Sequence, residues 1–212
     1  LAGDATSSGA FDTEVLPTWG RDDSGRKTTI TRDQCIRDDC SIDGLAALKP
    51  AFNPAGGSVT AGNSSPINVG AAAVLMMSES RADQLGLEPM ARIKSMAVAG
   101  VDPTEMGIGP VPAVHKALDR AGVTLDEIEC IEINEAFAVQ VLSVLQLLGI
   151  DSSTVNTRGG AIALGHPLGA SGARIAVTLL HRMQSTGARL GLATLCVGQG
   201  QGVATVFENL RS

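Results

Sequence analysis

The stretch from Asn156 to Arg174 constrains this chain more than any other. Asn-Thr-Arg-Gly-Gly-Ala-Ile-Ala-Leu-Gly-His-Pro-Leu-Gly-Ala-Ser-Gly-Ala-Arg holds five glycines, one proline and one histidine in nineteen residues. Glycine opens backbone conformations with φ > 0 and lets another group approach closely. Pro167 drives the residue before it toward an extended conformation. His166, between Gly165 and Pro167, therefore stands on tightly constrained backbone just ahead of a largely apolar helical pattern, Leu168 to Met183. Two readings fit: a rigid loop that presents one imidazole, or a glycine-rich turn with an incidental histidine.

The helix behind that loop needs a core to cover it. The chain's 212 residues suffice for one large or two small domains. Aromatic residues are 2% and tyrosine is absent, so the core has to be aliphatic and closely packed. The formal charge of −6 argues against general attraction to nucleic acid or to an anionic membrane. No apolar run is long enough for a membrane span, and the first residues lack the pattern of a secretory signal. The sequence starts at Leu1 rather than at methionine and reads as a fragment. Cys35, Cys40, Cys130 and Cys196 do not have zinc-site spacing, so no metal is expected. They read as free thiols of a reducing cytoplasm.

Residues 1–66 are mostly polar surface loop with short elements, including a helix at Ser41–Leu48 capped by Ser41. Asn53–Gly57 is a turn, and Val59–Pro66 is a loop of small residues. From Gly70 the composition shifts. Ala71–Met77 reads as a fully buried strand and Ser78–Leu85 as a helix with Ser78 as cap. The pattern from Ala91 is strand, helix, strand, helix, strand, helix, strand, strand. Its parts are a strand at Ala91–Ala99, a loop at Met106–Pro110 and an amphipathic helix at Val111–Ala121 with His115 at its surface. A strand at Ile128–Ile133 follows, then a helix at Ala136–Leu148 that is apolar almost all round. Short strands at Val155–Asn156, Gly191–Cys196 and Val203–Phe207 complete the order. Such an alternation implies an α/β sheet covered on both faces.

Three constellations stand where a strand end enters a constrained turn: Asn134-Glu135, Gly165-His166-Pro167 and Cys196 with its glycines. Loops at strand ends are where α/β sheets place ligands. A histidine can act as base or oxyanion donor, a cysteine as nucleophile or proton carrier, and an asparagine can hold a water or donate to an oxyanion. Singly each has a bland role. Asn134 suits a helix N-cap, Glu135 complements the helix N-terminus, and a strand-end cysteine is often just packed. Together they point to an active site.

Asn134-Glu-Ala-Phe-Ala138, Gly159–Arg174 and Cys196-Val-Gly-Gln-Gly-Gln-Gly202 resemble the three C-terminal signatures of thiolases. Val59–Ser65, Gly70–Ala73 and Met106–Pro112 resemble that family in the same order, and the likeness covers nearly the whole chain, more weakly over residues 1–40. The ending is most similar to degradative 3-ketoacyl-CoA thiolases of bacterial fatty-acid oxidation. The resemblance implies a thiolase-like α/β fold of α/β/α/β/α layers with two similar five-stranded sheets. The C-terminal half would be complete here and the N-terminal half largely missing. The implied division is a loop-domain remnant at 1–67, the last strand and helix of the N-terminal domain at 68–87, and the C-terminal domain at 88–212.

The resemblance also implies roles. His166 matches the histidine that activates the nucleophile and helps bind the thioester oxygen. Asn134 matches the asparagine that holds the oxyanion-site water, and Cys196 the cysteine that moves a proton as acid and base. Ser65 would touch the pantetheine, Met106 and Phe137 would line the acyl pocket, and Gly198 would lie beside the thioester. Coenzyme A enters as substrate, with no permanently bound cofactor. The partners implied are acyl-CoA and CoA, a homodimer or homotetramer of the full-length protein, and a β-oxidation complex. The family's nucleophilic cysteine has no counterpart: Cys35 and Cys40 lie in an aspartate-rich loop and Cys130 in a strand. Pro66, Val69, Arg158 and Gln199 also depart from the family's pattern. The expectation is an acyltransferase whose nucleophile lies outside these residues, so that the chain alone is inactive. The alternatives are a non-catalytic CoA-binding or assembly module and a decarboxylating condensing enzyme, against which Cys196 speaks. The strand at Ala71–Met77 would lack its neighbours, so the isolated chain should associate or be poorly soluble.

Overall fold

Helix and strand signals from Ala91 onward build one mixed sheet between two helical layers. The computed structural model describes residues 1–211. Its main sheet has β3 (Ala91–Gly100), β4 (Cys130–Ile133), β5 (Leu190–Val197) and β6 (Gln201–Asn209) in the order β3-β6-β5-β4. β6 runs antiparallel to both β3 and β5, whereas β4 and β5 are parallel. Parallel β4 and β5 end on the same side, as a βα-type site requires.

One face carries α4 (Pro110–Ala121) and α5 (Ala138–Leu148). Pro110 suits the first turn of α4, because its missing N–H has no partner there anyway. Ala113, Val114, Ala117 and Leu118 form one stripe of that helix. They meet Ile131, Ile133, Leu192, Ala204 and Val206 of the sheet, with Val141, Val144 and Leu145 of α5. His115 is exposed, as expected. The other face carries α7 (Ser171–Thr186), whose Ile175, Leu179 and Met183 pack on Cys130, Ala193 and Phe207. Gly191 is fitted to this layer, since a Cβ there would sit 2.3 Å from the Met183 sulfur.

Before the main sheet come α1 (Ala2–Ser7), a hairpin of β1 (Thr18–Arg21) and β2 (Lys27–Ile30), α2 (Ile42–Ala46) and α3 (Glu79–Leu85). Ser41 and Ser78 cap α2 and α3 as expected. The hairpin is not visible in hydrophobic pattern because its burial is slight throughout.

Four expectations change. Ala71–Met77 pairs with nothing among the described residues, so it is not a strand, and Leu75 is 81% exposed. Its apolar run fits a buried strand, yet no neighbouring strand is present to bury it. Between α4 and α7 a second strand was expected near Val155, with five strands in the sheet. Val155 instead makes a single parallel bridge to Ile131, because the chain turns at Asn156, which has a left-handed φ of 48°. Met106–Gly109 is not loop but the end of 3-10 turns spanning Pro103–Ile108 and running into α4. Finally, α5 is buried on one side only. Gln140 is buried with Val141 and Val144, whereas Val139, Leu142 and Leu147 face outward.

Candidate active site

The turn between β4 and α5 is the hub of the site. Asn134 continues the parallel pairing by donating its N–H to the Thr194 carbonyl at 3.0 Å. Cys196 lies two residues beyond Thr194 on β5, so Asn134 and Cys196 occupy neighbouring strand ends. Asn134 is fully buried, and neither its Oδ1 nor its Nδ2 has a hydrogen-bond partner among the described residues. It is not a helix cap; Phe137 holds that position for α5. A buried amide without partners costs stability, and a site that binds a ligand oxygen is one reason to keep it.

Glu135 also departs from its expected role beside α5. Its carboxylate accepts from Asn156 Nδ2 at 2.9 Å and from the Ile162 N–H at 3.1 Å, in the first turn of α6 (Ala161–Leu164). Asn156 in turn donates to the Ile133 carbonyl at 2.8 Å and accepts from its N–H at 2.9 Å. One asparagine and one glutamate thus lock the β4 end to the glycine-rich loop. The close approach explains Gly160, where a Cβ would fall 2.1 Å from the Glu135 carboxylate carbon.

His166 follows α6 on the same loop. Its N–H donates to the Pro66 carbonyl at 3.2 Å, and Gly165, at φ 110°, passes against the Asn68 side chain. Nδ1 lies 2.6 Å from Ser171 Oγ, which also donates to the Pro167 carbonyl at 3.2 Å. Ser171 Oγ thus engages Nδ1, and Nε2 has no hydrogen-bond partner among the described residues. Burial and then the Arg174 charge hold the His166 pKa below its ordinary value, so the imidazole is neutral at neutral pH. Cys196 is shifted the other way: burial pushes its thiol up, so it keeps its proton.

Of the remaining expected residues, Ser65 and Phe137 stand at the same turn, whereas Met106 and Gly198 lie on other segments. Ser65 donates its N–H to the Ala136 carbonyl at 3.0 Å, and its hydroxyl reaches the same oxygen at 3.2 Å. Ser64 bridges Phe137, and Phe137 packs edge-on against Phe52 with ring centres 6.3 Å apart. Since Ser65 and Pro66 are consecutive, this loop joins the β4–α5 turn to His166. Met106 approaches through Gly107, which lies against the buried Gln140. Gly109 packs backbone to backbone on Gly202, opposite Cys196 in the hairpin register. Gly198 is at the open tip of that hairpin, beside Gln199 and Gly200, both at positive φ. Asn156, Ser171 and Gln140 were missed as site residues. The first had a signal: an asparagine just ahead of a glycine pair suits the left-handed position it occupies.

A neutral imidazole, a protonated thiol and a free amide on rigid turns are groups suited to acid–base chemistry at a carbonyl group. The chain belongs to the thiolase family. The family model for the thiolase C-terminal domain matches residues 87–209, and that for the thiolase N-terminal domain matches residues 1–80. The 3-ketoacyl-CoA thiolase of Aliivibrio fischeri is 56% identical over 207 residues, 96% of this chain and 54% of that protein. That of Stutzerimonas stutzeri is 54% identical over 213 residues, 99% of this chain and 54% of that protein. The chain thus spans about half the length of the curated relatives it matches. Among solved structures, a Bacillus anthracis acetyl-CoA acetyltransferase aligns with a TM-score of 0.94 at 45% identity, covering 99% of this chain and 52% of that one. Human mitochondrial 3-ketoacyl-CoA thiolase in complex with CoA aligns with a TM-score of 0.88 at 37% identity, covering 98% and 51%.

Proposed function

We propose that this chain supplies the His166, Asn134 and Cys196 part of a 3-ketoacyl-CoA thiolase, with the nucleophilic cysteine outside these residues. What supports the reading is that Asn134 and Cys196 stand on neighbouring strand ends while the Ser65–Pro66 loop ties the turn after β4 to His166, with burial shifting the imidazole down and the thiol up. In thiolysis a cysteine thiolate adds to the 3-keto carbon of the acyl-CoA. The bond between C2 and C3 then breaks, leaving an acyl thioester on the enzyme and an acetyl-CoA enolate. His166 Nε2 takes the proton of the nucleophilic thiol. Cys196 gives its proton to C2, and its thiolate then takes the proton of incoming CoA, whose sulfur releases the acyl group. Asn134 offers its free amide to the water of the oxyanion site.

CoA is substrate in this reading, not a resident cofactor. Ser65 contacts its pantetheine, Met106 and Phe137 line the acyl pocket and Gly198 lies beside the thioester. Residues 1–67 form a loop-domain remnant, 68–87 the last part of the N-terminal domain and 88–212 the C-terminal domain. The reading extends to a cytoplasmic homodimer or homotetramer working with a β-oxidation partner.

The local thiols support an external nucleophile. Cys40 is exposed, Cys35 lies in the same polar loop, and Cys130 is buried in β4. The test is cleavage of acetoacetyl-CoA with CoA. The chain alone should give no turnover. Fused to the N-terminal half of the Aliivibrio fischeri relative it should turn over, and His166→Asn or Cys196→Ser should abolish that. Robust turnover by the chain alone, or an active fusion carrying Cys196→Ser, overturns the proposal.

A further inference from the structure

The leading segment, residues 1–15, has no task in the proposed chemistry. It stands apart from the main sheet and packs on the loop that carries His166. Ala2, Ala5 and Phe11 form a small buried cluster with Leu164 of α6, two residues ahead of His166. Beside that cluster the loop touches the segment directly: a Cβ on Gly159 would lie 2.7 Å from the Ala2 Cβ. Apolar contact is non-directional, so the cluster alone does not fix how the segment sits. Arg158 supplies the direction. Its Nη1 donates to the Ala10 carbonyl at 2.9 Å and faces Glu14 Oε1 at 3.5 Å, where the Glu14 side chain is only 4% exposed. Nη2 donates at 2.7 Å to Ser185 Oγ, whose own proton goes to the Arg182 carbonyl. A guanidinium presents its donors in a rigid fork, which lets one side chain hold two elements in a set relation. Here one arm takes the leading segment and the other takes the last turn of α7. The stem belongs to the glycine-rich loop, two residues after Asn156, which is locked to Ile133 and Glu135. A second tie runs alongside, with Thr13 Oγ1 and His181 Nδ1 of α7 3.0 Å apart. Arg158 is one of the positions at which the chain departs from the thiolase pattern, so that shared pattern does not account for it.

We propose that Arg158 is a positioning residue of the His166 loop: its two-armed guanidinium holds the leading segment against α6 and so fixes the backbone from which His166 projects. The path to His166 runs through α6. Leu164 and Gly165 donate to the Gly160 and Ala161 carbonyls, and the His166 N–H then reaches the Pro66 carbonyl. A helix of four residues does not persist without packing, and Ala2, Ala5 and Phe11 are the packing of Leu164. The catalytic meaning of this positioning rests on the proposed thiolase reading, but the positioning itself does not.

The test is amide hydrogen exchange and imidazole 15N NMR of the whole chain, as wild type, Arg158→Met and Arg158→Lys. Methionine removes both arms. Exchange at Leu164, Gly165 and His166 should then rise about tenfold relative to Leu192 in the sheet, because hydrogen bonds from a charged donor hold the cover of α6 in place. The His166 ring should report the same loosening. Loss of its 2.6 Å contact with Ser171 moves its 15N signals toward those of exposed His115. Lysine keeps the charge but has no fork, so both readouts should fall between wild type and methionine. The proposal is overturned if the α6 amides of Arg158→Met exchange as in wild type, or rise only in step with Leu192. It is also overturned if the His166 ring signals stay in place, or if lysine matches wild type. If the methionine variant does not fold, Ser185→Ala decides, since it cuts one arm at an exposed position. Exchange at Leu164 should rise there too, and an unchanged rate overturns the proposal. No readout involves substrate, so a failed thiolysis assay and a failed exchange test are separate results.

Discussion

The contact between Gly109 and Gly202 offers a sharp test of how the site is built. A Cβ placed on Gly202 would lie 1.9 Å from the Gly109 carbonyl oxygen and 2.0 Å from its carbon. Carbon atoms in ordinary contact sit about 3.5 Å apart, so Gly202→Ala must part the two chains by roughly 1.5 Å. Neither side can yield by turning a side chain, because both are backbone. Overpacking costs about 1–3 kcal/mol, and a contact with no soft partner belongs at the upper end. For a chain of this size each kcal/mol lowers Tm by about 2–4 °C, which gives a loss of about 6–12 °C. The control is Gly198→Ala, four residues away on the same hairpin. A Cβ there meets nothing within 4 Å, so its effect should stay within about 0.5 kcal/mol. The assay is a thermal melt of both variants at one protein concentration. Gly109→Ala probes the same contact from the other side, with a Cβ 2.4 Å from the Gln201 carbonyl oxygen. Joining it to Gly202→Ala should cost less than the two separate losses, because the first separation makes room for the second. A Gly202→Ala protein that melts with wild type would refute the reasoning. It would mean that the turn carrying Met106 is free to move relative to the hairpin carrying Cys196.

Two further outcomes follow from buried polar groups. Burial pushes the Glu132 carboxyl from 4.5 up to about 7, against the pull of Arg182. A carboxyl raised on folding stabilises fully below its unfolded pKa, and that stability is lost as pH rises through its folded pKa. At about 1.4 kcal/mol per unit, the loss between about pH 4.5 and pH 7 is at most about 3 kcal/mol. Glu132→Gln removes the titration, so its stability relative to wild type should rise between pH 5 and pH 8 in urea denaturation; a constant difference shows that Glu132 is ionised throughout. Asn156→Ala removes bonds to both backbone groups of Ile133 and to Glu135, and puts alanine at a left-handed φ. The expected cost is about 2–4 kcal/mol, with lost hydrogen-exchange protection at the Ile133 amide; an amide that still exchanges with the slow core contradicts this.

Much of the C-terminal sheet and its helices was legible because period and punctuation agree there. In α4 the apolar stripe, Pro110 at the start and Gly122 at φ 67° at the end all point to one helix. Around the site, Asn134 and Cys196 were legible as residue types at strand ends, whereas His166, expected at a strand end, follows helix α6. What carried no sequence signal was partnership across the fold. Glu135 was assigned to the helix it precedes, yet its oxygens serve α6 and Asn156, both more than twenty residues away. Nothing local distinguishes a carboxylate that complements its own helix from one that crosses to another. The outward Leu142 and the buried Gln140 of α5 show the same limit, since apolarity alone does not say which face finds a neighbour.

The failure at Ala71–Met77 has a different cause, and it bears on the site. Its composition is that of a strand buried on both faces, but a strand is a property of a pair. With no partner to hydrogen-bond, the segment forms no strand, and Leu75 and Met76 are exposed. The same chain places Asn68 against Gly165 and Gly70 against Pro167, flanking His166. One run of residues thus carries both the unpaired apolar segment and the wall of the imidazole loop. Anything that pairs with 71–77 pulls on that wall. The His166 loop and the unpaired segment are then joined by eight residues of backbone, Asn68 to Leu75. For that reason, on the proposed reading, a fusion that supplies a strand to pair with 71–77 should also tighten the loop that presents His166.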